Sequence, residues 1–219
     1  MLFRGFDIKE IILSLPIILM AITFHEYAHG YAAFKMGDPT AKMQGRLSLN
    51  PLSHMDIIGA LSMLLLGFGW AKPVPINPYN FKDKKKGTAL VSLAGPMANI
   101  FLALVGTLIY GLFIRFYSTV DINEDFAMYM QILLSQMIIM NISFALFNLI
   151  PIPPLDGSKI LGVFLPGKFY YKYILRYERY AFPALIILMY TGIIGRILSF
   201  FSSPIIDSLN KIISLIGGI

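Results

Sequence analysis

Two histidines and a glutamate stand close together in an apolar part of the chain, in the motif His25-Glu26-Tyr27-Ala28-His29. Residues four positions apart lie on the same face of a helix, so His25 and His29 could bind one Zn²⁺ between them. Glu26 would then be placed to take a proton from an attacking water molecule. The alternative is a pair of buried, hydrogen-bonded core histidines. Because ionisable side chains are costly at membrane depth and mark functional sites there, the pattern favours a catalytic metal centre.

The composition predicts a helical membrane protein. Hydrophobic residues make up 57% of the 219 residues, and the mean hydropathy is +0.70. A helix of about 20 apolar residues crosses a bilayer, and four segments suit this role: 11–24 extended through the histidine motif, 88–114, 127–155, and 180–195 continuing to 206. We therefore predict an all-α, polytopic protein with about four transmembrane helices in the lipid bilayer. Since the chain has no cysteine, the metal ligands must be nitrogen and oxygen donors.

The distribution of charge predicts the orientation in the membrane. Most Lys and Arg residues lie in two loops, 35–87 and 156–179, whereas the loop after the second apolar segment carries Asp121, Glu124 and Asp125. The positive-inside rule places the two basic loops in the cytosol and both termini outside, although Arg4 and Lys9 argue against an external N-terminus. We predict a multi-pass protein of a prokaryotic cell membrane with its active site toward the cytosol. The net charge of +6 belongs to these loops and does not indicate a nucleic-acid partner.

Two neighbouring segments are predicted to lie on the same side as the basic loops. Residues 57–69 are apolar but too short to span comfortably, which favours a re-entrant or interfacial element. If they did span, the orientation of everything downstream would be reversed. Residues 70–78 contain three prolines and are predicted to be extended, because proline disrupts a helix interior.

Asp156 is the candidate for a third metal ligand. A catalytic zinc ion has three protein ligands and an open position. Pro151, Pro153 and Pro154 must end the third apolar helix just before Asp156, and broken backbone at membrane depth is tolerated only in protein or beside a wet cavity. The alternative is an ordinary helix-terminating turn with a capping Asp. The predicted orientation brings Asp156 and the histidine motif to the same side of the membrane.

Three other residues allow more than one interpretation. His54 could be an accessory residue over the cytosolic mouth of the site. It could equally be a loop histidine bonded to Asp56 or to a backbone carbonyl. Gly95 and Pro96 are predicted to serve close helix packing or a kink rather than chemistry.

The combined motifs make the chain resemble the site-2 proteases, which are zinc intramembrane metalloproteases. They are His-Glu-x-x-His in one apolar helix and Asn-x-x-Pro-x-Pro-x-x-Asp-Gly, residues 148–157, after another. Further matches are residues 45–56 and Ala94-Gly95-Pro96-Met97-Ala98-Asn99, so that the resemblance covers roughly residues 20 to 160. The chain looks like a minimal member without a PDZ-like or CBS-like insertion.

The resemblance implies roles for individual residues. His25, His29 and Asp156 would be the ligands of one Zn²⁺ per chain, Glu26 the catalytic base, and Asn148 a contact to the substrate backbone or the oxyanion. The first three helices would form the catalytic core of a single membrane-embedded domain, 1–219. That core would span about 8–160, and an accessory C-terminal helix about 177–203.

The implied activity is hydrolysis of peptide bonds within or near transmembrane segments of membrane-protein substrates. Such a segment must be unwound first, and the unwound stretch could pair with the extended segment containing Trp70, Lys72 and Val74. The rival interpretations are a non-proteolytic membrane scaffold or a transporter that uses the metal site. A structural zinc site is a third, but it would require a fourth protein ligand, for which the sequence offers no clear candidate.

Overall fold

Helices account for most of the part of the chain that the structure describes. This computed structural model describes residues 8–66, 69–117, 119–120, 122–166 and 178–218, with the backbone alone at 8–13, 63–66 and 178–179. Within these ranges the α-helices are α1 Ile8–Lys35, α2 Thr40–Met43, α3 Ile57–Leu66, α4 Lys84–Tyr117, α5 Glu124–Asn148, α6 Asp156–Phe164, α7 Glu178–Tyr190 and α8 Ile193–Gly217. The predicted all-α class is confirmed.

Helix α4 is the centre of the fold. It packs against α1, α5, α6 and α8. Where α4, α5 and α8 meet, a core of buried aliphatic side chains forms from Ala103, Ile138, Ile142, Leu209 and Ile213. The opposite surfaces of α4 and α5 expose large apolar side chains such as Phe101, Leu108 and Ile139, as expected of helices that face lipid.

Two helices among the described residues, α4 and α5, are long and apolar enough to cross a membrane. The pair α7 and α8 would count as a third span, but it is bent by 74°. The bend follows Tyr190 and includes Gly192, which adopts a left-handed conformation with φ of 73°. The apolar stretch expected to continue from 180 to 206 is therefore two helices rather than one. Helix α1, which contains the first predicted span, is not one of these candidate spans. The total of four transmembrane helices therefore stays a prediction.

The two short segments behave as their composition suggests. Helix α3 has ten residues, a length of about 15 Å, or half the thickness of the hydrocarbon layer. The segment from Gly69 to Asn77 contains no helix, and Ala71 forms an isolated antiparallel bridge with Met55. Both observations agree with a short non-spanning helix followed by extended chain.

The third apolar segment forms helix α5, which ends just before the prolines, as the sequence predicted. Its N-terminus is capped by the Asn123 side chain, which accepts a hydrogen bond of 3.2 Å from the Phe126 N–H. Helix α5 ends at Asn148, and the chain passes through the prolines before α6 begins at Asp156. Asp156 therefore starts a new helix, which packs against α4.

Candidate metal centre

The side chains of His25, His29 and Asp156 converge in the interior. Asp156 Oδ2 lies 2.9 Å from His29 Nε2 and 3.2 Å from His25 Nε2, and the two Nε2 atoms are 3.0 Å apart. The three residues are 4%, 6% and 5% exposed. One ligand atom from each residue lies within 4.8 Å of the other two. These three side chains of the described part of the chain could therefore hold a metal ion.

The geometry of α1 and the break after α5 explain this convergence. His25 and His29 lie one helical turn apart, so their rings leave the same face of α1. Both rings point toward α4, because Gly95 of that helix lies directly against them. Asp156 reaches the same point from the N-terminus of α6. The three ligand candidates expected from sequence are therefore brought together.

The remaining ring nitrogens determine where the imidazole protons lie. His29 Nδ1 is 2.7 Å from the Val91 carbonyl oxygen, which can only accept, so Nδ1 donates its proton there. His25 Nδ1 is 2.7 Å from the Asn99 side-chain oxygen and donates to it in the same way. In neutral rings, both Nε2 lone pairs then face the Asp156 carboxylate. Three acceptors meeting at one point need a cation between them, which fits a metal site with ordered outer contacts.

Gly95 leaves room beside the two rings. A Cβ built on Gly95 would lie 2.6 Å from Cε1 and 2.7 Å from Nε2 of His25, and it would also clash with His29 Nε2. Real Cβ atoms essentially never make such contacts, so only glycine fits unless the rings move. The close approach predicted for Gly95 is thus an approach to the histidine side chains themselves.

Glu26 is half-buried next to the ligands and contacts the extended segment. Its Oε2 accepts a hydrogen bond of 2.8 Å from the backbone N–H of Val74. Because Pro73 and Pro75 have no N–H, Val74 is the only backbone donor among these three residues. The carboxylate of the candidate base is therefore held by the extended segment.

The segment predicted to pair with substrate, which contains Trp70, Lys72 and Val74, contacts other parts of the protein. The Lys72 N–H donates to the His54 carbonyl oxygen at 2.9 Å, and the Lys72 carbonyl oxygen accepts from Arg46 at 2.9 Å. The Trp70 ring packs edge-on against Phe182, with centroids 6.1 Å apart. The N–H groups of Lys72 and Val74 are therefore used within the protein, and a substrate-binding role for this segment stays a prediction.

His54 and Asn148 lie outside the three-residue group. His54 is 1% exposed, and its Nε2 donates to the Ser48 carbonyl oxygen at 2.8 Å. Of the two sequence-based alternatives for a loop histidine, the contact observed is thus the one to a backbone carbonyl. Asn148, the last residue of α5, donates from its side-chain amide to the Phe144 carbonyl oxygen at 3.0 Å. The roles predicted for both residues are still untested.

Sequence reasoning missed two residues near this centre. Lys159, one turn after Asp156, places its ammonium 3.1 Å from Asp156 Oδ1, and this spacing was readable from the sequence. Asn141 of α5 is completely buried and accepts a hydrogen bond from Asn99. An asparagine in the middle of an apolar span is itself a signal, because buried polar groups need partners in lipid.

Known sequences resemble this chain over almost its whole length. It is 36% identical over 205 residues to the Bacillus subtilis (strain 168) protein named "Putative zinc metalloprotease YwhC", covering 91% of this chain and 90% of that protein. The sequence model described as "Peptidase family M50" matches residues 114–191. The chain belongs to peptidase family M50. This is the family of site-2 proteases, as the sequence motifs predicted.

Relatives of lower sequence identity carry similar names. "Putative zinc metalloprotease Rip2" of Mycolicibacterium smegmatis is 30% identical over 149 residues, which are 64% of this chain and 52% of that protein. "Putative zinc metalloprotease MJ0611" of Methanocaldococcus jannaschii is 27% identical over 169 residues, 73% of this chain and 74% of that protein. No solved structure matches the chain. With its apolar helices, this M50 protein is a membrane protein and a zinc metallopeptidase.

Proposed function

We propose that this M50 peptidase hydrolyses peptide bonds within or near transmembrane segments of membrane-protein substrates. The observation that carries the proposal is the depth of the ligand cluster within the helical bundle. Gly95, which touches both histidines, is the twelfth residue of α4 and lies about 17 Å along the helix from its start. A site at this depth suits a substrate that lies in the bilayer.

His25, His29 and Asp156 would hold one zinc ion per chain through two imidazole nitrogens and one carboxylate oxygen. This set matches the three protein ligands of catalytic zinc sites, which leave a further position open. When bound, zinc supplies Lewis acidity, which makes a water molecule more acidic and polarises the carbonyl group of the scissile bond. The Val91 carbonyl oxygen keeps the His29 ring in the orientation that such binding requires.

Glu26 would act as the general base and acid. Its position between the two ligands lets it take a proton from the attacking water and pass the proton to the leaving amine. The Val74 N–H holds one carboxylate oxygen in place. Asn148 is the candidate donor to the substrate carbonyl or backbone, since its amide carries two N–H bonds and the contact with Phe144 uses one.

The proposed orientation places the catalytic core, about 8–160 of one membrane domain, with its site toward the cytosol of a cell membrane. The Lys and Arg content of the loops supports this arrangement. The chain has no cysteine, so Asp83→Cys and Glu124→Cys each introduce a unique label. We expect a membrane-impermeant thiol reagent to modify Cys at 124 from outside intact cells, and Cys at 83 only after lysis. Labelling of Cys at 83 in intact cells would contradict the orientation.

The activity is tested on purified protein in liposomes with a panel of single-span membrane proteins. We expect Glu26→Gln to retain one zinc per chain by elemental analysis and to lose cleavage, whereas His29→Ala should lose both. Glu124→Gln, which neutralises an exposed glutamate in the first turn of α5, is the charge-matched control. Wild-type cleavage by Glu26→Gln, or failure of the protein to cut any membrane-spanning substrate while it cuts soluble peptides, would overturn the proposal.

A further inference from the structure

A chain of buried amide side chains leads away from His25 into the helical bundle. Asn99 of α4 accepts from His25 Nδ1 through its side-chain oxygen at 2.7 Å. Its amide nitrogen donates to the Ala21 carbonyl oxygen at 3.1 Å and to the Asn141 side-chain oxygen at 2.9 Å. Asn141 in turn donates to the Met137 carbonyl oxygen at 2.8 Å. Both asparagines are 0% exposed, and the chain joins α1, α4 and α5.

The backbone carbonyls at the two outer contacts fix the direction of every hydrogen bond. A carbonyl oxygen can only accept, so Asn141 must present its amide nitrogen to Met137 and its oxygen to Asn99. Asn99 must likewise present its nitrogen to Ala21, which leaves its oxygen facing His25. The proton of His25 therefore lies on Nδ1, and the Nε2 lone pair faces His29 and Asp156.

We propose that Asn99, itself oriented by Asn141, is a positioning residue that sets the proton location and ring orientation of His25. The inference rests on the proposed function insofar as His25 is taken as a metal ligand. The opposite tautomer would place a proton on Nε2, where it would block the metal. The same ring could also turn about its side-chain bonds if no acceptor held Nδ1.

The location of the two asparagines favours a role in positioning His25 over a role in helix–helix packing alone. Asn99 could join α4 to α5 and α1 through its contacts with Asn141 and Ala21 alone. Its oxygen is instead committed to the one ring nitrogen that a metal ligand leaves free. Orientation of ligating histidines by an acceptor on the second nitrogen is general in metal sites, and its loss weakens metal binding by about 10- to 100-fold.

The test combines a spectroscopic measurement with zinc binding. In metal-free protein labelled with ¹⁵N-histidine, we expect an exchange-protected Nδ1–H signal from His25, assigned by its absence in His25→Gln. Only three histidines are present, so few signals compete. Asn99→Leu should remove this signal and raise the zinc Kd by about 10- to 100-fold in a competition titration. The signal of His29, whose acceptor is Val91, should persist.

Three further variants separate positioning from folding. Asn99→Asp keeps an acceptor for His25 but loses the N–H donor to Ala21 and Asn141. It should therefore retain the His25 signal and weaken zinc binding less than Asn99→Leu does. Asn141→Leu should broaden the His25 signal and weaken zinc binding less than Asn99→Leu does. Thr107→Val removes another buried polar group of α4, whose hydroxyl donates to the Ala103 carbonyl oxygen, and should change neither measurement.

Two results would overturn the inference. One is an unchanged His25 signal and zinc Kd in folded Asn99→Leu. The other is the same loss in Thr107→Val, which would indicate a general effect of disturbing α4. Because the NMR measurement needs neither metal nor cleavage, it also separates the two proposals. A protein that bound no zinc but showed the stated signal changes would refute the proposed function and leave this inference intact.

Discussion

Gly95 lies so close to His25 that a side chain could not be placed between them: a Cβ on Gly95 would be 2.7 Å from His25 Nε2. The same position faces His29 Nε2. The backbone of α4 therefore forms one wall of the proposed metal site, and the space beside that wall belongs to the ligand atoms.

Gly95→Ala should therefore impair metal binding. The added methyl group must displace at least one imidazole, so we expect the zinc Kd to rise by at least the roughly 10- to 100-fold seen when ligand orientation is lost. Elemental analysis and competition titration measure this. Gly106→Ala is the control on the same helix, where the atoms nearest to the added Cβ would be side-chain atoms of Met137 and Ile138, all at 3.3 Å. Normal zinc content in Gly95→Ala would contradict the proposed ligand position.

Val74→Pro should lower kcat with little change in zinc content. Proline removes the N–H that donates to Glu26 Oε2. Losing a hydrogen bond to a charged group corresponds to a decrease in kcat of about 10- to 100-fold. Steady-state cleavage assays with zinc analysis measure the effect. Val74→Ala keeps the N–H and serves as the matched control. An equal loss in both variants would assign the effect to packing of the Val74 side chain against Gly30 instead.

Asn148→Ala should keep zinc and slow cleavage. If the amide donates to the carbonyl that becomes negatively charged during hydrolysis, its loss should cost about 10²- to 10³-fold in kcat. Single-turnover cleavage measures the chemical step directly. Cleavage at the wild-type rate would refute the predicted role of Asn148, whereas loss of zinc would indicate that this side chain supports the ligand cluster.

Asp38, in the loop after α1, should stabilise the protein through hydrogen bonds to its carboxylate. Oδ2 accepts from the Asn77 N–H at 2.6 Å, and Oδ1 accepts from the Asn80 amide at 2.7 Å and from the Thr40 N–H and hydroxyl. Burial alone would raise the pKa of Asp38, but these hydrogen bonds outweigh it and lower the pKa. We expect Asp38→Ala to lower the free energy of unfolding by about 3 kcal/mol.

The lowered pKa of Asp38 also gives this stabilisation a pH dependence. The unfolded chain binds the proton more tightly, so the stabilisation is fully present above the ordinary aspartate pKa of about 3.9 and is lost as pH falls through the lower folded value. Thermal unfolding in detergent between pH 3 and 7, followed by circular dichroism, should show the Tm difference from Asp38→Ala narrowing below about pH 4. A difference that grew on acidification would contradict the assignment.

The sequence allowed prediction of the parts of the site that depend on local chain geometry. The four-residue spacing of His25 and His29 fixes their common face, and the prolines before Asp156 fix the end of α5. The contacts of Glu26 with Val74 and of His25 with Asn99 were not predictable, because they join residues far apart in the chain and depend on how the helices pack. The bend near Gly192 was not predicted, because the residues on both sides of it are apolar and resemble one continuous helix.

The contact between Asn99 and Asn141 bears on the order in which the protein assembles in the bilayer. Each asparagine would be exposed to lipid if its helix were inserted alone, and interhelical hydrogen bonds are among the forces that bring inserted helices together. Because α4 and α5 are consecutive, they can pair as a hairpin soon after insertion. We expect α1 to join this hairpin through His25, so that the metal-binding pocket is completed only when α1, which precedes α4 and α5 in the chain, has docked against both of them.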